Sequence, residues 1–477
     1  MSTDVDMVVA VAAVARTAVR PVDGELAGWN PVELAGVVGR EVLERAGLGA
    51  GDLDEVVVGC ADPVGACGAD AARAIVLAAG WPDSVGGMVV DRGETSGLAA
   101  VQAAAAAIRA GQARTVLVVG LGLCSVVPPG AAALNRTYGA PWGGVAERFA
   151  AAGGLLPGPR LAERAALAAG IDRAALDAAA EESRRRRAES GASGEPKESG
   201  KSGAPREPGG SGASPAIVAV AARPGDAAGR GVYPGDPVPA DVVRDWGDTA
   251  ELPPAFDDEG LLTAATFAPP ADCVAAVLLQ AVAGRAEPQS GGRPAETTTP
   301  LGPPAGVSTT AHQAAGTEST SSCADPAGEA IAPEVASTAV TPSRSDPGSG
   351  EAWRPGRALA TVVGTGRAAG DPFDPVGNVA AAVDRALAET GTGTGLDAVD
   401  NIAVVEHDAA TVMLVARALG VGADRINRAG GAVATGNPGA AEELRLITDG
   451  LAVTGSLLLT VSAGPTGSAA ILWRKEL

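Results

Sequence analysis

The chain has 477 residues and a formal net charge of −20, a balance that argues against a polyanionic partner such as nucleic acid. That length allows two or three domains with substantial cores. Gly and Ala dominate and aromatics make up only 3%, a bias too general to carry a mechanism.

The five cysteines, Cys60, Cys67, Cys124, Cys273 and Cys323, are scattered without CxxC or zinc-type spacing. The expectation is free thiols in a reducing compartment and no metal site. The opening MSTDVDMVVAVAAVARTAVR is acidic before it turns apolar, the reverse of a secretory signal. No charge-free apolar run is long enough to span a bilayer. The sequence thus predicts a cytoplasmic protein without membrane contact.

In chain order, MVVAVAAVART predicts a first strand. NPVELAGVVGREVLERAG predicts an amphipathic helix with Asn30 as cap and Pro31 at its first position. LDEVVVGC reads as a strand, GADAARAIVLAAG as a helix and GGMVVDR as a strand. TSGLAAVQAAAAAIRAG is a helix closed by Gly111, and RTVLVVGLG a buried strand. RLAERAALAAGIDRAALDAAAEESRRRR reads as two helices broken at Gly170-Ile171-Asp172, with Arg184 to Arg187 as a solvated helix end. A short strand AIVAVAA and a polar loop follow, and then PADCVAAVLLQAV, which fits strand or helix.

Beyond these, ALATVVGTGRAA predicts a strand, DPVGNVAAAVDRALAETG a helix and VDNIAVVEHD a strand. AATVMLVARALG and GAAEELRLITDGLAVTG predict helices, and SLLLTVSAGPTGSAAILWRK a closing hairpin. Strands alternating with helices indicate an α/β protein in two halves. Residues 189–215 and 284–356 are rich in Gly, Ser, Pro and charge. They bury too little apolar area to offset the entropy of ordering, and are expected to be flexible. His312, one of two histidines, falls in the second of these. The glycine clusters GLGLCS and GTGTGLD lack the strand–turn–helix context of a nucleotide site.

Several longer motifs, in order, resemble the thiolase family (acetyl-CoA C-acyltransferases and the sterol-carrier-type thiolases). ARTAVRPVDGEL is similar to the family's opening Arg-Thr-Pro stretch, and LAERAALAAGIDRAALDAAAEES to its loop-domain signature. LPPAFDDEGLLTAATFAPPADCVAAVLL resembles LxPAFxxxGxxTAxNxSxxxDGAAAxxL, and INRAGGAVATGNPGAAEELR resembles VNxxGGAxAxGHPxGxSGxR. SAGPTGSAAIL is similar to the final glycine-rich hairpin. The resemblance implies a duplicated αβαβα five-layer fold with a loop domain, acyl-CoA substrates and Claisen-type C–C chemistry. It places a first half at residues 1–283, with the loop domain at about 124–250 and an insertion at 189–215. A linker at 284–356 and a second half at 357–477 follow.

The chain departs from the family where its chemistry resides. The family's NRxCxSGLxA is here DRGETSGLAA, so Glu94 stands at the nucleophilic Cys. Asn437 in GNP stands at the activating His, and Val461 or Ser462 at the second Cys. In HDAA, His407 takes the place of the oxyanion Asn and Asp408 that of the Glu. Glu442 and Glu443 replace small residues, and Thr266 and Ala268 stand where the family lines its CoA channel.

A carboxylate is a poor acyl acceptor from a thioester, because the anhydride formed is the more reactive species. The sequence therefore predicts loss of ordinary thiolase chemistry, and Cys124, following a core strand, is expected to be packing. At a helix start Glu94 is placed to act as a base, with His407 as acid–base partner and Asn437 as a hydrogen-bonding residue. Retro-aldol cleavage, decarboxylation or hydrolysis of a CoA thioester would fit. The alternative is an inactive homologue, with Glu94 a helix cap, His407 a satisfied polar residue and Asn437 a turn residue. Such a chain would serve as a subunit beside a thiolase or acyl-CoA-binding partner. Either reading implies a homodimer or hetero-oligomer, an acyl-CoA ligand and no covalently bound cofactor.

Overall fold

The apolar run that begins the chain forms strand β1 (Met7–Arg16), buried from Val9 onward. A strand covered on both faces requires such an unbroken run. The computed structural model describes residues 7–134, 143–150, 156, 158–190, 216–223, 236–256, 260–283 and 357–476. The predicted flexible segments, with His312 and Cys323, lie outside the described residues, apart from Glu189 and Ser190.

Helix α1 (Pro31–Ala46) begins as its sequence dictates, with Asn30 Oδ1 accepting the Val32 N–H at 3.0 Å and Pro31 at the first turn. Then come β2 (Glu55–Gly59), α2 (Ala71–Ala78), β3 (Gly86–Val90), α3 (Ser96–Arg109) and β4 (Thr115–Leu123). Helices α4 (Gly158–Ala168) and α5 (Arg173–Glu189) follow. The ambiguous segment is strand β5 (Ala271–Ala283), paired along both edges with β1 and β4. The second half contributes β6 (Ala360–Ala368), α6 (Val379–Ala388), β7 (Asn401–Val404), α7 (Ala409–Leu419), α8 (Ala440–Ala452), β8 (Leu457–Gly464) and β9 (Gly467–Lys475).

Two expectations need trimming. AIVAVAA yields only the two-residue strand Val220–Ala221, against Pro237–Val238. β7 stops at Val404, which frees Glu406 to Asp408 to turn into α7.

The long strands form one mixed sheet in the order β7-β8-β9-β6-β1-β5-β4-β2-β3. Its halves meet where β1 pairs with β6, Ala10 with Thr361 and Val11 with Ala360. In chain rank the first half runs 3-2-4-5-1, with β2 parallel to β3 and β4 and with β5 antiparallel to its neighbours. The second half repeats that order, its third strand reduced to the single parallel bridge Ile402–Ile426 beside β7. α1 and α2 pack against the first half, α6 against the second, and α3 and α8 touch strands of both. Three apolar clusters fill the spaces between.

Helix α8 is buried from Ala440 to Gly450, yet it carries Glu442, Glu443, Arg445 and Asp449. Charges in such a place persist only when paired. Arg445 Nε donates to Glu442 at 2.6 Å and its Nη1 to Asp449 at 2.6 Å. Asp449 also accepts from Arg16 Nε at 3.1 Å and Arg187 Nη1 at 2.7 Å, while Asp241 bridges the same two arginines. Three guanidinium groups thus balance three carboxylates across β1, α5, α8 and the Asp241 loop. This corrects the reading of Arg184 to Arg187 as a solvated helix end. Arg187 is wholly buried and Arg184 nearly so, donating to the Ala265 carbonyl. Arg186 is half-buried and joins Glu182 to the Ile426 carbonyl, and Arg185 alone is exposed, paired with Glu182 and Glu189.

Candidate active site

Between β3 and α3 the chain turns at Asp91 to Thr95, with Gly93 in the left-handed region at φ 55°. The turn presents the half-buried Glu94 to the β8–β9 hairpin. Glu94 Oε2 accepts from the Thr466 hydroxyl at 2.9 Å, and the Ser462 hydroxyl donates to the Glu94 carbonyl at 2.8 Å. Gly464 makes this possible, since a Cβ there would stand 3.1 Å from that of Glu94.

Glu94 does not cap α3. The cap residue is Thr95, whose hydroxyl donates to the Arg92 carbonyl at 3.1 Å rather than capping the helix, and the Gly97 N–H goes to Glu443 Oε2 from α8. Burial pushes the Glu443 carboxyl up to about 8, against the lowering effect of the Ser462 hydroxyl and of the Gly97 and Leu98 amides. Its second oxygen, Oε1, is buried with no hydrogen-bond partner.

His407 leads from β7 into α7, and its Nδ1 lies 3.1 Å from Asn437 Nδ2. Asn437 Oδ1 is already taken by the Gly439 N–H at 2.9 Å. That fixes the amide so that Nδ2 donates to Nδ1, and the ring proton of a neutral His407 belongs on Nε2. Nε2 is buried and meets no hydrogen-bond partner. Burial holds His407 below the ordinary histidine range, while the Glu94 charge and the Ala463 backbone pull the other way. His407 is therefore a neutral ring that senses the Glu94 carboxylate.

The Asn437 turn reaches this position because β4 carries Gly122, where a Cβ would fall 1.7 Å from the Pro438 carbonyl oxygen. Thr266 and Ala268 run alongside. The Ala268 N–H donates to the His407 carbonyl at 3.1 Å and the Ala409 N–H to the Thr266 carbonyl at 2.9 Å. Both side chains are buried, and the Thr266 hydroxyl accepts from the Thr263 N–H within its own turn. Asp408 caps α7, taking the Thr411 N–H at 2.7 Å, and burial pushes it up to about 7. Burial likewise pushes the Cys124 thiol up to about 12, so it is held as a thiol beneath the Asn437 carbonyl.

Sequence reasoning missed the role of Glu443 and also Glu406, which accepts from Ser183, Asn427 and the Val433 N–H. For Glu443 the available signal was a pair of adjacent acids in a helix whose apolar residues run round all its faces; Glu406, in the turn after β7, gave none. Among the described residues no group of His, Cys, Asp and Glu is arranged to hold a metal ion. Nor is any helix among them long and apolar enough to cross a membrane.

Residues 8–198 match the family model described as the thiolase N-terminal domain. The chain is 37% identical over 113 residues to the steroid 3-ketoacyl-CoA thiolase FadA6 of Mycobacterium tuberculosis, covering 24% of this chain and 28% of that protein. It is 39% identical over 126 residues to an acetyl-CoA acetyltransferase of Pseudomonas aeruginosa (26% and 32%). To the 3-ketoacyl-CoA thiolase of Bacillus subtilis it is 36% identical over 105 residues (22% and 27%). The matched stretches span less than a third of each relative. The chain is a distant, partial homologue of thiolases and acetyl-CoA acetyltransferases, and its mixed α/β architecture is consistent with a thiolase-like fold.

Proposed function

We propose that this chain is a thiolase-like protein of the duplicated αβαβα five-layer type that acts on a CoA thioester without an acyl-enzyme intermediate. Glu94 is the base, His407 its acid–base partner and Asn437 the residue that holds the imidazole in one tautomer. In retro-aldol cleavage of a β-hydroxyacyl-CoA, Glu94 takes the hydroxyl proton, the Cα–Cβ bond breaks to an aldehyde, and the enolate is protonated to the shorter acyl-CoA. Decarboxylation of a β-ketoacyl chain or thioester hydrolysis would draw on the same groups. The observation that carries this reading is a neutral His407, oriented by Asn437, under the charge of a Glu94 carboxylate.

The proposed organisation has a first half at 1–283 with a loop domain at about 124–250, a linker at 284–356 and a second half at 357–477. Thr266 and Ala268 border the acyl-CoA channel. The protein is cytoplasmic and assembles as a homodimer or a hetero-oligomer. Incubation with a panel of CoA thioesters tests the chemistry. Consumption that Glu94→Gln abolishes, with no acyl group on the intact protein, supports it, and a covalent acyl adduct refutes it.

A second reading, an inactive homologue that serves as a subunit, draws on one observation. His407 Nε2 and Glu443 Oε1 are both shielded from solvent. That reading predicts co-purification with a cysteine-bearing thiolase and no thioester turnover.

A further inference from the structure

Cys60 and Cys67 are both buried and both free, the first just after β2 and the second in the short helical turn Gly65–Cys67 ahead of α2. Their thiols share a hydrogen bond, which is the largest influence on each. It pulls Cys60 below the ordinary thiol range and pushes Cys67 above it. A cavity of about 330 Å³ opens on the Cys67 side, bordered also by Pro63, Ala69, Asp70, Gly87 and Met88. The loop beyond Cys67 carries backbone strain. Ala69 and Asp70, neither a glycine, lie side by side in the left-handed region at φ 51° and 57°.

We propose that Cys60 and Cys67 form a redox modification site, a thiol pair that hydrogen peroxide converts to an intramolecular disulfide and that thiol reductants restore. This goes beyond the chemistry assigned to Glu94 and does not depend on it.

The groups facing the pair divide the roles between its members. The Cys67 thiol and the Asp62 backbone favour a thiolate at Cys60, against burial and the Asp62 and Asp91 carboxylates. Around Cys67, burial, Asp62 and Cys124 all disfavour a thiolate. Cys60 is therefore the nucleophile and Cys67 the resolving thiol. Cys124 and Cys273 bond to backbone carbonyls rather than to sulfur, and burial pushes each up to about 12. They are the unreactive thiols of the same interior. The Cys60 N–H donates to the Val90 carbonyl at 3.1 Å, so the pair is tied to the strand end from which the Glu94 turn departs.

The step balances with peroxide as the only oxidant. The Cys60 thiolate attacks one peroxide oxygen and the O–O bond breaks. The departing hydroxide takes up the proton that Cys60 released and leaves as water, and Cys60 becomes a sulfenic acid. The Cys67 sulfur then attacks the Cys60 sulfur, the S–O bond breaks, and the hydroxyl leaves with the Cys67 proton as a second water. The two sulfurs together give up two electrons, and the peroxide gains them. Hydrogen peroxide is close to water in size, which suits sulfurs buried beside a small cavity. In a reducing compartment such a bridge is transient, and a sensing role follows more readily than a structural one.

The test exposes the reduced full chain to hydrogen peroxide, unfolds it in the presence of iodoacetamide and maps the cysteine peptides by mass spectrometry. A Cys60–Cys67 bridge should appear, with the iodoacetamide label lost from those two residues and kept on Cys124 and Cys273. Dithiothreitol should restore the lost label. Cys67→Ser should lose the bridge and leave Cys60 as a sulfenic acid that dimedone traps. Full labelling of both residues in the oxidised wild type overturns the inference. So does a bridge from either residue to another cysteine, or oxidation that dithiothreitol does not reverse. If Cys67→Ser does not fold, the wild-type map decides alone. Thioester turnover plays no part in these readouts, so this inference and the Glu94 reading fail separately.

Discussion

Asn437 Nδ2 lies 3.1 Å from His407 Nδ1, and Asn437 Oδ1 is fixed by the Gly439 N–H. One side chain thereby chooses the imidazole tautomer of another. Asn437→Asp replaces the donor with an acceptor, which draws the proton to Nδ1 and raises the histidine pKa through the added charge. The expected result is a loss of turnover of about 100-fold, within the range for disabled acid–base catalysis. Nitrogen-15 shifts of the His407 ring should show the tautomer exchange, and turnover on the thioester panel the loss.

Stability should depend on pH from both sides. Glu443, Asp408 and Asp272 are raised by burial to about 8, 7 and 6. Between the ordinary carboxyl range and these values the folded state holds protons that the unfolded chain has released. Their contribution is whole below about pH 4 and is lost as pH rises to 8. Asp241 and Asp449 are held low, Asp241 at about 2, by Arg16 and Arg187 against the cost of burial. Their contribution is present above about pH 4 and is lost as pH falls. Urea midpoints should peak near pH 5 and decline toward both 3 and 9, and Glu443→Gln should flatten the alkaline limb.

The buried ion network should be unforgiving of single changes. Asp449→Asn leaves Arg16, Arg187 and Arg445 short of a shared carboxylate. A loss of about 3–5 kcal/mol is expected in equilibrium urea unfolding. Arg185→Ala, at the outer face of the same arginine run, should leave the midpoint nearly unchanged.

Gly122→Ala should act on the site from β4. The added Cβ would meet the Pro438 carbonyl at 1.7 Å, which forces the Asn437 turn away. Overpacking of this kind costs about 1–3 kcal/mol. The His407 tautomer should loosen in the same variant, visible in the same ring shifts.

Much of the frame was readable from the chain itself. Asn30 and Pro31 mark the start of α1, and the closing glycine-rich segment is a hairpin, because cap chemistry and turn residues act locally. β5 was ambiguous because an apolar run buried on both faces has no period to distinguish strand from helix. The arginine run misled because its partners, Asp241 and Asp449, are 54 and 262 residues away. At the site, Glu94, His407 and Asn437 were marked by their places in motifs. Glu443 was noted there only as a bulky replacement. Its position against the Gly97 amide depends on the packing of α8 on α3, a contact 346 residues apart.

The most direct measurement is the rate at which wild type and Glu94→Gln consume a panel of β-hydroxyacyl-CoA thioesters. With Glu94 as the base, the wild type turns over at least one member and the variant is slower by roughly 100-fold. Equal rates in the two proteins, or no consumption by either, would contradict the account.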